Sequence, residues 1–186
     1  MRNNTNYCAK IGDLQGLINL YEQGYSFPKD TCTAAASNGH LNCLQYIHEH
    51  GGCWNNYTCS NAAMCGKLAC LQYAHENGCP WDGHTSRCAA MCGKLACLQY
   101  AHENGCPWDE TVCSYAAEHG YLDCLQYAHE QGCPWSENTC TRAASCGKID
   151  CLRYAHEHGC ILNKDAYECA KNHNETNCML YIGQFL

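Results

Sequence analysis

Cysteine and histidine recur along the chain in the pattern Cys-x10-Cys-x4-His-x3-Cys. Each copy of this pattern supplies three thiols and one imidazole nitrogen. Three sulfurs and one nitrogen are a common ligand set of tetrahedral structural zinc sites, and such a zinc ion contributes directly to the free energy of folding. The chemistry that these residues could support is therefore structural zinc binding, with one ion for each copy of the pattern.

The predicted zinc ligands form five sets. Three sets are complete: Cys59, Cys70, His75 and Cys79; Cys113, Cys124, His129 and Cys133; Cys140, Cys151, His156 and Cys160. A fourth set has Cys32, Cys43 and His48, with Gly52 at the last position and Cys53 one residue further on. A fifth has Cys97, His102 and Cys106, with Ser86 at the first position and Cys88 two residues further on.

Helix geometry favours the convergence of three ligands in each set. In an antiparallel helix pair the start of the first helix lies beside the end of the second, so Cys113, His129 and Cys133 are expected to meet. Cys124 would reach in from further back. Two alternatives remain open: the cysteines are reduced thiols of the core, or they form disulfides.

The elements that would position these residues repeat every 27 residues, which is typical of a solenoid. The period holds for cysteine, tyrosine, glycine, tryptophan and histidine. We divide the single predicted domain into an N-terminal cap (1–24), repeats 25–51, 52–78, 79–105, 106–132 and 133–159, and a C-terminal cap (160–186). The tryptophans Trp54, Trp81, Trp108 and Trp135 are interpreted as packing between turns, with a binding stripe as the alternative.

Each repeat is predicted to hold two short helices and no strand. In 106–132, Asp109 or Thr111 can cap a first helix that runs to about Glu118, and Gly120 ends it. Apolar residues then follow at spacings of three and four as far as Gly132, which is helical periodicity. The fold class is therefore predicted to be all-α.

Composition limits the possible partners and the location. The chain has 11 basic and 18 acidic residues, and its net charge of −7 disfavours nucleic acid as a partner. The sequence begins without an export signal and contains no apolar stretch long enough to span a membrane. We expect an intracellular, cytoplasmic protein whose thiols are mostly reduced.

Several residues carry a resemblance to the ankyrin repeat: Thr111, Ala116-Ala117, Gly120-Tyr121-Leu122, Cys124-Leu125 and Glu130-Gln131-Gly132-Cys133, and also Ala35-Ala36 with Gly39-His40-Leu41. The Cys-Pro-Trp-Asp variety resembles divergent ankyrin repeats of giant DNA viruses. The resemblance implies an α-solenoid of stacked antiparallel helix pairs. The unit is about six residues shorter than the usual ~33, so the projecting hairpin of that family is expected to shrink to a tight turn around tryptophan.

The most favoured function is a non-catalytic scaffold that binds a protein partner, because every candidate catalytic residue is one copy in a series. Its specificity would come from residues that vary between repeats: Asn55, Asn56, Gly83, His84, Glu110, Thr111, Glu137 and Asn138 on turns, and Ser60, Asn61, Arg87, Ser114, Tyr115 and Arg142 on first helices. One alternative is a self-associating structural component, such as a particle or filament subunit, suggested by the apolar C-terminus. Another is a zinc-storing or redox-responsive protein.

Overall fold

The computed structural model describes residues 5–55 and 57–186, which form helices joined by short turns. Asn56, one of the predicted variable turn positions, lies outside the described residues. The helices are α1 (Thr5–Ile11), α2 (Leu14–Glu22), α3 (Asp30–Asn38), α4 (Leu41–Glu49), α5 (Thr58–Met64), α6 (Leu68–Glu76), α7 (Gly83–Met91), α8 (Leu95–Glu103), α9 (Glu110–His119), α10 (Leu122–Glu130), α11 (Glu137–Ser145), α12 (Ile149–Glu157), α13 (Lys164–Asn172) and α14 (Thr176–Ile182). The prediction of an all-α solenoid is confirmed. Each predicted segment holds one helix pair.

Local sequence sets the bounds of the two helices in repeat 106–132. The Asp109 carboxylate accepts a hydrogen bond from the Thr111 backbone N–H at 2.9 Å and so caps the start of α9. Gly120 ends α9 with a left-handed φ of 79°, and the Tyr121 N–H bonds back to the Ala116 carbonyl at 2.9 Å. The predicted N-cap and the predicted terminating glycine are both present. In the last repeat Asn174, with φ 60°, takes the place of this glycine.

Small side chains let the first helices of successive repeats pack most closely against one another. The Ala-Ala pair of each central repeat, such as Ala116 and Ala117, is fully buried there. The second helices from α2 to α12 contribute one fully buried leucine each, such as Leu125, and the second helices pack less closely on their neighbours. A continuous core therefore runs between the two layers of helices along the stack.

The turn glycines differ in their surroundings, which gives a matched test. Gly105 (φ +77°) has open space where a Cβ would be, whereas a Cβ on Gly93 (φ +64°) would lie 2.3 Å from Cδ1 of the Tyr121 ring. We expect Gly105→Ala to lower the free energy of unfolding by about 1–2 kcal/mol, the cost of a left-handed non-glycine residue. Gly93→Ala should cost more, since the ring must also move. Urea denaturation measures both, and equal losses would contradict this account.

Candidate functional site

The structure brings together the first and last cysteine of each complete predicted set. Cys113, on α9, and Cys133, the first residue of the next repeat, are both buried and lie side by side. The Cys113 thiol also lies 3.9 Å from the Cys133 carbonyl oxygen, and the Cys133 thiol donates to the Asp109 carbonyl at 3.2 Å. The hydrogen bond from Cys113 lowers the pKa of Cys133, and the same interaction, with burial, raises the pKa of Cys113.

The second cysteine of each set lies apart from this pair. Cys124, in the first turn of α10, is buried among the second helices, and the ionisable groups that affect its pKa are Asp123, Cys151 and Lys94. The pKa of the Cys124 thiol is raised to about 12, mainly by burial and further by the nearby Asp123 charge. The corresponding Cys43, Cys70, Cys97 and Cys151 are buried in the same way. These thiols are small core side chains in this structure.

The histidine of each set is engaged with the next repeat. The Nδ1 atom of His102 lies 3.0 Å from the Tyr127 hydroxyl, and its ring stacks on Trp108 with centroids 3.9 Å apart. Tyr127 meets Trp108 edge-on at 6.3 Å. The same contacts join His48 with Trp54 and Tyr73, His75 with Trp81 and Tyr100, and His129 with Trp135 and Tyr154. We call these groups the aromatic triads.

The predicted four-ligand sets are therefore divided between separate places in the fold. Across residues 5–55 and 57–186, no group of three or more His, Cys, Asp or Glu side chains is placed to hold one metal ion. In the two incomplete sets, Cys53 is exposed and Cys88 lies 3.5 Å from Nε2 of His84 instead. Zinc binding remains a prediction, and the metal content of protein purified without added zinc would test it.

The aromatic triads explain why tryptophan recurs in every central turn. Each tryptophan ring is half-buried against the histidine of the preceding repeat, so the rings pack between repeats as predicted. Burial raises the pKa of Tyr127, with a further contribution from Glu103. Burial, followed by the charge of His158, lowers the pKa of His129. At the contact with Trp135 and Tyr154, the fold therefore favours the neutral form of His129.

Replacing one triad tryptophan should weaken one interface. We expect Trp108→Ala to lower the free energy of unfolding by about 2–3 kcal/mol, from lost apolar burial and lost ring contacts. Trp108→Phe keeps a ring on His102 and should cost less than half as much. Urea denaturation followed by circular dichroism measures both variants. A loss below about 0.5 kcal/mol for Trp108→Ala would place the ring among ordinary surface residues.

The exposed positions of the first helices differ between repeats. One position carries Ala34, Asn61, Tyr115 and Arg142 in four of the five central repeats, all half-buried, and the buried Cys88 in the remaining one. The Arg142 guanidinium lies 5.0 Å from the centroid of the Tyr115 ring and pairs with the Glu118 carboxylate. We call Tyr115, Glu118 and Arg142 the α9–α11 patch.

A second polar group lies on α7. Arg87 donates to Nδ1 of His84 at 2.7 Å, which leaves Nε2 of that ring facing the Cys88 thiol. Two predicted binding positions do not belong to this face: Ser60 and Ser114 are buried, and their hydroxyls donate to the backbone carbonyls of Tyr57 and Thr111. Their place on this face was predicted wrongly because helical serine can satisfy itself within its own turn.

Comparison with known proteins relates the fold of this chain to others. No family model and no curated protein matches the sequence. Among solved structures, the crystal structure of the human ASB11 ankyrin repeat domain matches with a TM-score of 0.77 and 18% sequence identity over 96% of each chain. The chain has the ankyrin-repeat fold. At this identity the similarity concerns the fold alone.

The ankyrin-repeat fold is built here with shortened connections. Residues 131–136 join α10 to α11, and Trp135 packs on the second helix of the preceding repeat. The described connections contain turns and irregular chain but no strand. The connection between repeats is therefore a short turn, as predicted from the 27-residue unit. None of the helices in the described ranges is both long and apolar enough to span a bilayer.

Within this ankyrin-repeat fold, one set of surface positions was missed by the sequence analysis. The last turn of the first helix presents Met64, Met91, Glu118 and Ser145 in the central repeats, all half-buried. These residues also vary from repeat to repeat. The signal was present in the sequence, because this position lies three residues after the one occupied by Tyr115 and Arg142 and so shares its helix face.

Proposed function

We propose that this chain is a non-catalytic scaffold that binds a protein partner through the exposed face of its first helices. The observation that carries this proposal is where the repeats differ. Buried positions such as the Ala-Ala pairs are kept in every central repeat, while exposed positions on the first helices change. Stacking needs the buried residues to stay constant, and recognition of a particular partner needs the exposed ones to differ.

The second helices support the proposal by contrast. Two positions on their outer faces are almost copied between repeats: one is Gln45, Gln72, Gln99 and Gln126 before Arg153, and the last helical residue is glutamate in all five, whereas the exposed second residue of the helix changes among asparagine, alanine and aspartate. A surface with the same residues every 27 positions offers little to define one binding register. The first-helix face, which carries the larger differences in side-chain size and charge, is therefore the better candidate for a specific interface.

The α9–α11 patch is the proposed centre of the binding surface. Tyrosine and arginine are enriched among residues that dominate binding free energy, and Tyr115 and Arg142 are stacked together here. The Glu118 carboxylate orients the guanidinium. Proteins with the ankyrin-repeat fold typically serve binding rather than catalysis. The net charge of −7 favours a protein partner over nucleic acid.

Photo-crosslinking from two matched positions tests the proposal. A photoreactive phenylalanine analogue replaces Tyr115 in one variant and Gln126, on the opposite layer, in the other. We expect one partner to crosslink from position 115 and not from 126. With that partner purified, Tyr115→Ala with Arg142→Ala should weaken binding at least tenfold, and Gln126→Ala should leave it unchanged. Equal crosslinking from both positions, or unchanged affinity in the double variant, would contradict the proposal.

Self-association is the second candidate function, favoured by apolar residues exposed near the C-terminus. Ile161 is 68% exposed and Leu180 is 65% exposed, and Phe185 and Leu186 are also exposed. A structural or assembly component would polymerise as its concentration rises, which size-exclusion chromatography with light scattering detects. A monomer at all concentrations would exclude this candidate.

A zinc-storing or redox-responsive role is the third candidate. The high number of cysteines suggests this role. All of them are free thiols in this fold, which is consistent with an intracellular protein. A store must release its metal while folded. Loss of helicity on chelation would indicate structural metal instead.

A further inference from the structure

Three pairs of neighbouring cysteines lie inside the stack, each formed by one residue of a repeat and the first residue of the segment that follows. They are Cys59 with Cys79, where the first thiol lies 4.0 Å from the second residue's carbonyl oxygen, Cys113 with Cys133, where this distance is 3.9 Å, and Cys140 with Cys160, at the same positions one repeat further on. In each pair the first cysteine sits on the first helix and the second follows the end of the second helix. All six are buried. These three pairs, here called the thiol pairs, have no part in the proposed protein-binding face.

The surroundings of each thiol pair are electronegative. The Cys133 thiol lies 3.2 Å from the Asp109 carbonyl oxygen, and the Cys160 thiol lies 3.4 Å from the Ser136 carbonyl oxygen. The Cys79 thiol lies 3.9 Å from the carbonyl oxygen of Asn55. Carbonyl dipoles that point at sulfur oppose a second thiolate charge. A cation between the two sulfurs would reverse that penalty, because both thiolates and the carbonyl oxygens would then face positive charge.

The number of ligands available at each thiol pair indicates which cation fits there. In the described ranges no third His, Cys, Asp or Glu side chain joins any thiol pair, so the four ligands that tetrahedral zinc requires are not supplied at one place. Soft thiolate sulfur favours monovalent copper, a soft ion of low coordination number. Two neighbouring thiols beside backbone carbonyl oxygens, with no third side-chain ligand, therefore fit this ion better than zinc.

We propose that each thiol pair binds one Cu(I) ion as a two-coordinate bis-thiolate, giving three ions per chain. Two cysteine thiols and one Cu(I) form two copper–sulfur bonds and release two protons, and copper stays monovalent throughout. The ion arrives by thiol exchange from a Cu(I)–glutathione complex, whose glutathione takes up the released protons. Cys79, Cys133 and Cys160 keep a small exposed fraction, from which exchange begins.

Two further positions in the chain lack one cysteine of the pair, and they serve as internal controls for the expected number of three copper ions. In repeat 25–51, Gly52 replaces the second cysteine of the pair, so Cys32 lacks its partner. At the position that would pair with Cys106, Ser86 replaces the first cysteine, and its buried hydroxyl has no hydrogen-bond partner among the described residues. A site that needs both sulfurs is absent from these two repeats. Ser86→Cys would complete the fourth pair.

The test is an anaerobic Cu(I) titration of the fully reduced chain against a chromophoric Cu(I) chelator. The chelator removes copper held by single thiols. We expect the wild type to retain three equivalents, Cys113→Ser to retain two, and Ser86→Cys to retain four. Cys146→Ser, at an exposed thiol, should retain three. X-ray absorption should show two sulfur neighbours for each copper.

Loss of folding should not explain a change in copper retention. Cys113→Ser introduces a serine that the fold already accepts at the equivalent position 86, and Ser86→Cys adds a ligand without removing one. Circular dichroism confirms helicity in each variant. Unchanged copper retention in both Cys113→Ser and Ser86→Cys would overturn the proposal. So would three or more sulfur neighbours per copper, which would mean a cluster built from other cysteines.

Discussion

Leu98→Ala should lower the free energy of unfolding by about 3–5 kcal/mol and split the unfolding transition in two. Leu98 is fully buried on α8, in the middle of the stack, and large-to-small substitutions at such sites lose both apolar burial and packing. Each repeat of a solenoid is stabilised by its neighbours only. A weak repeat at 79–105 therefore uncouples the repeats before it from those after it.

Urea denaturation followed by circular dichroism would show this as a first transition at lower denaturant and a second near the wild-type midpoint. Gln99→Ala, the half-buried neighbour on the same helix, is the matched control and should change stability by less than about 0.5 kcal/mol. Ile182→Ala, fully buried at the end of the stack, should fray the last repeat without splitting the transition. One cooperative transition in Leu98→Ala would contradict the nearest-neighbour description.

The fold could be predicted because its determinants recur at one spacing. Glycines that end helices, such as Gly120 and Gly132, adopt left-handed φ values that other residues avoid, so their period marks the turns. Buried leucines such as Leu125 repeat between those turns. Local capping and local periodicity were sufficient to locate the two helices of repeat 106–132 within one residue or two.

The contacts of the predicted zinc ligands could not be predicted from the sequence, because the residues they contact lie in other repeats or beyond the ends of the helices. His129 and Cys133 are four residues apart, which on a helix would place them together. The helix ends at Glu130, and Gly132 turns the chain so that Cys133 points inward towards Cys113. His129 instead meets Tyr154, 25 residues further on. A search within one repeat does not find that partner.

The buried thiols should make the fold sensitive to alkaline pH. Burial raises the pKa of Cys70, Cys97 and Cys151 to about 11 and that of Cys32 to about 12. An unfolded cysteine titrates near ~8.5. Because the folded pKa is raised, the folded state favours the neutral thiol, whose contribution is complete below about pH 8.5 and is lost as the pH rises towards the folded values.

Each such thiol subtracts up to about 1.4 kcal/mol from the unfolding free energy per pH unit within this window, so several together should unfold the chain well before pH 11. Urea denaturation at pH 7.0, 8.5, 9.0 and 9.5 measures the slope below the range where tyrosine titrates. Cys97→Ala with Cys124→Ala should reduce that slope by about 2–3 kcal/mol per pH unit, whatever its cost at pH 7. Cys146→Ala, at an exposed thiol, should leave it unchanged. An equal slope in the double variant and the wild type would mean that these thiols ionise as readily in the fold as in the unfolded chain.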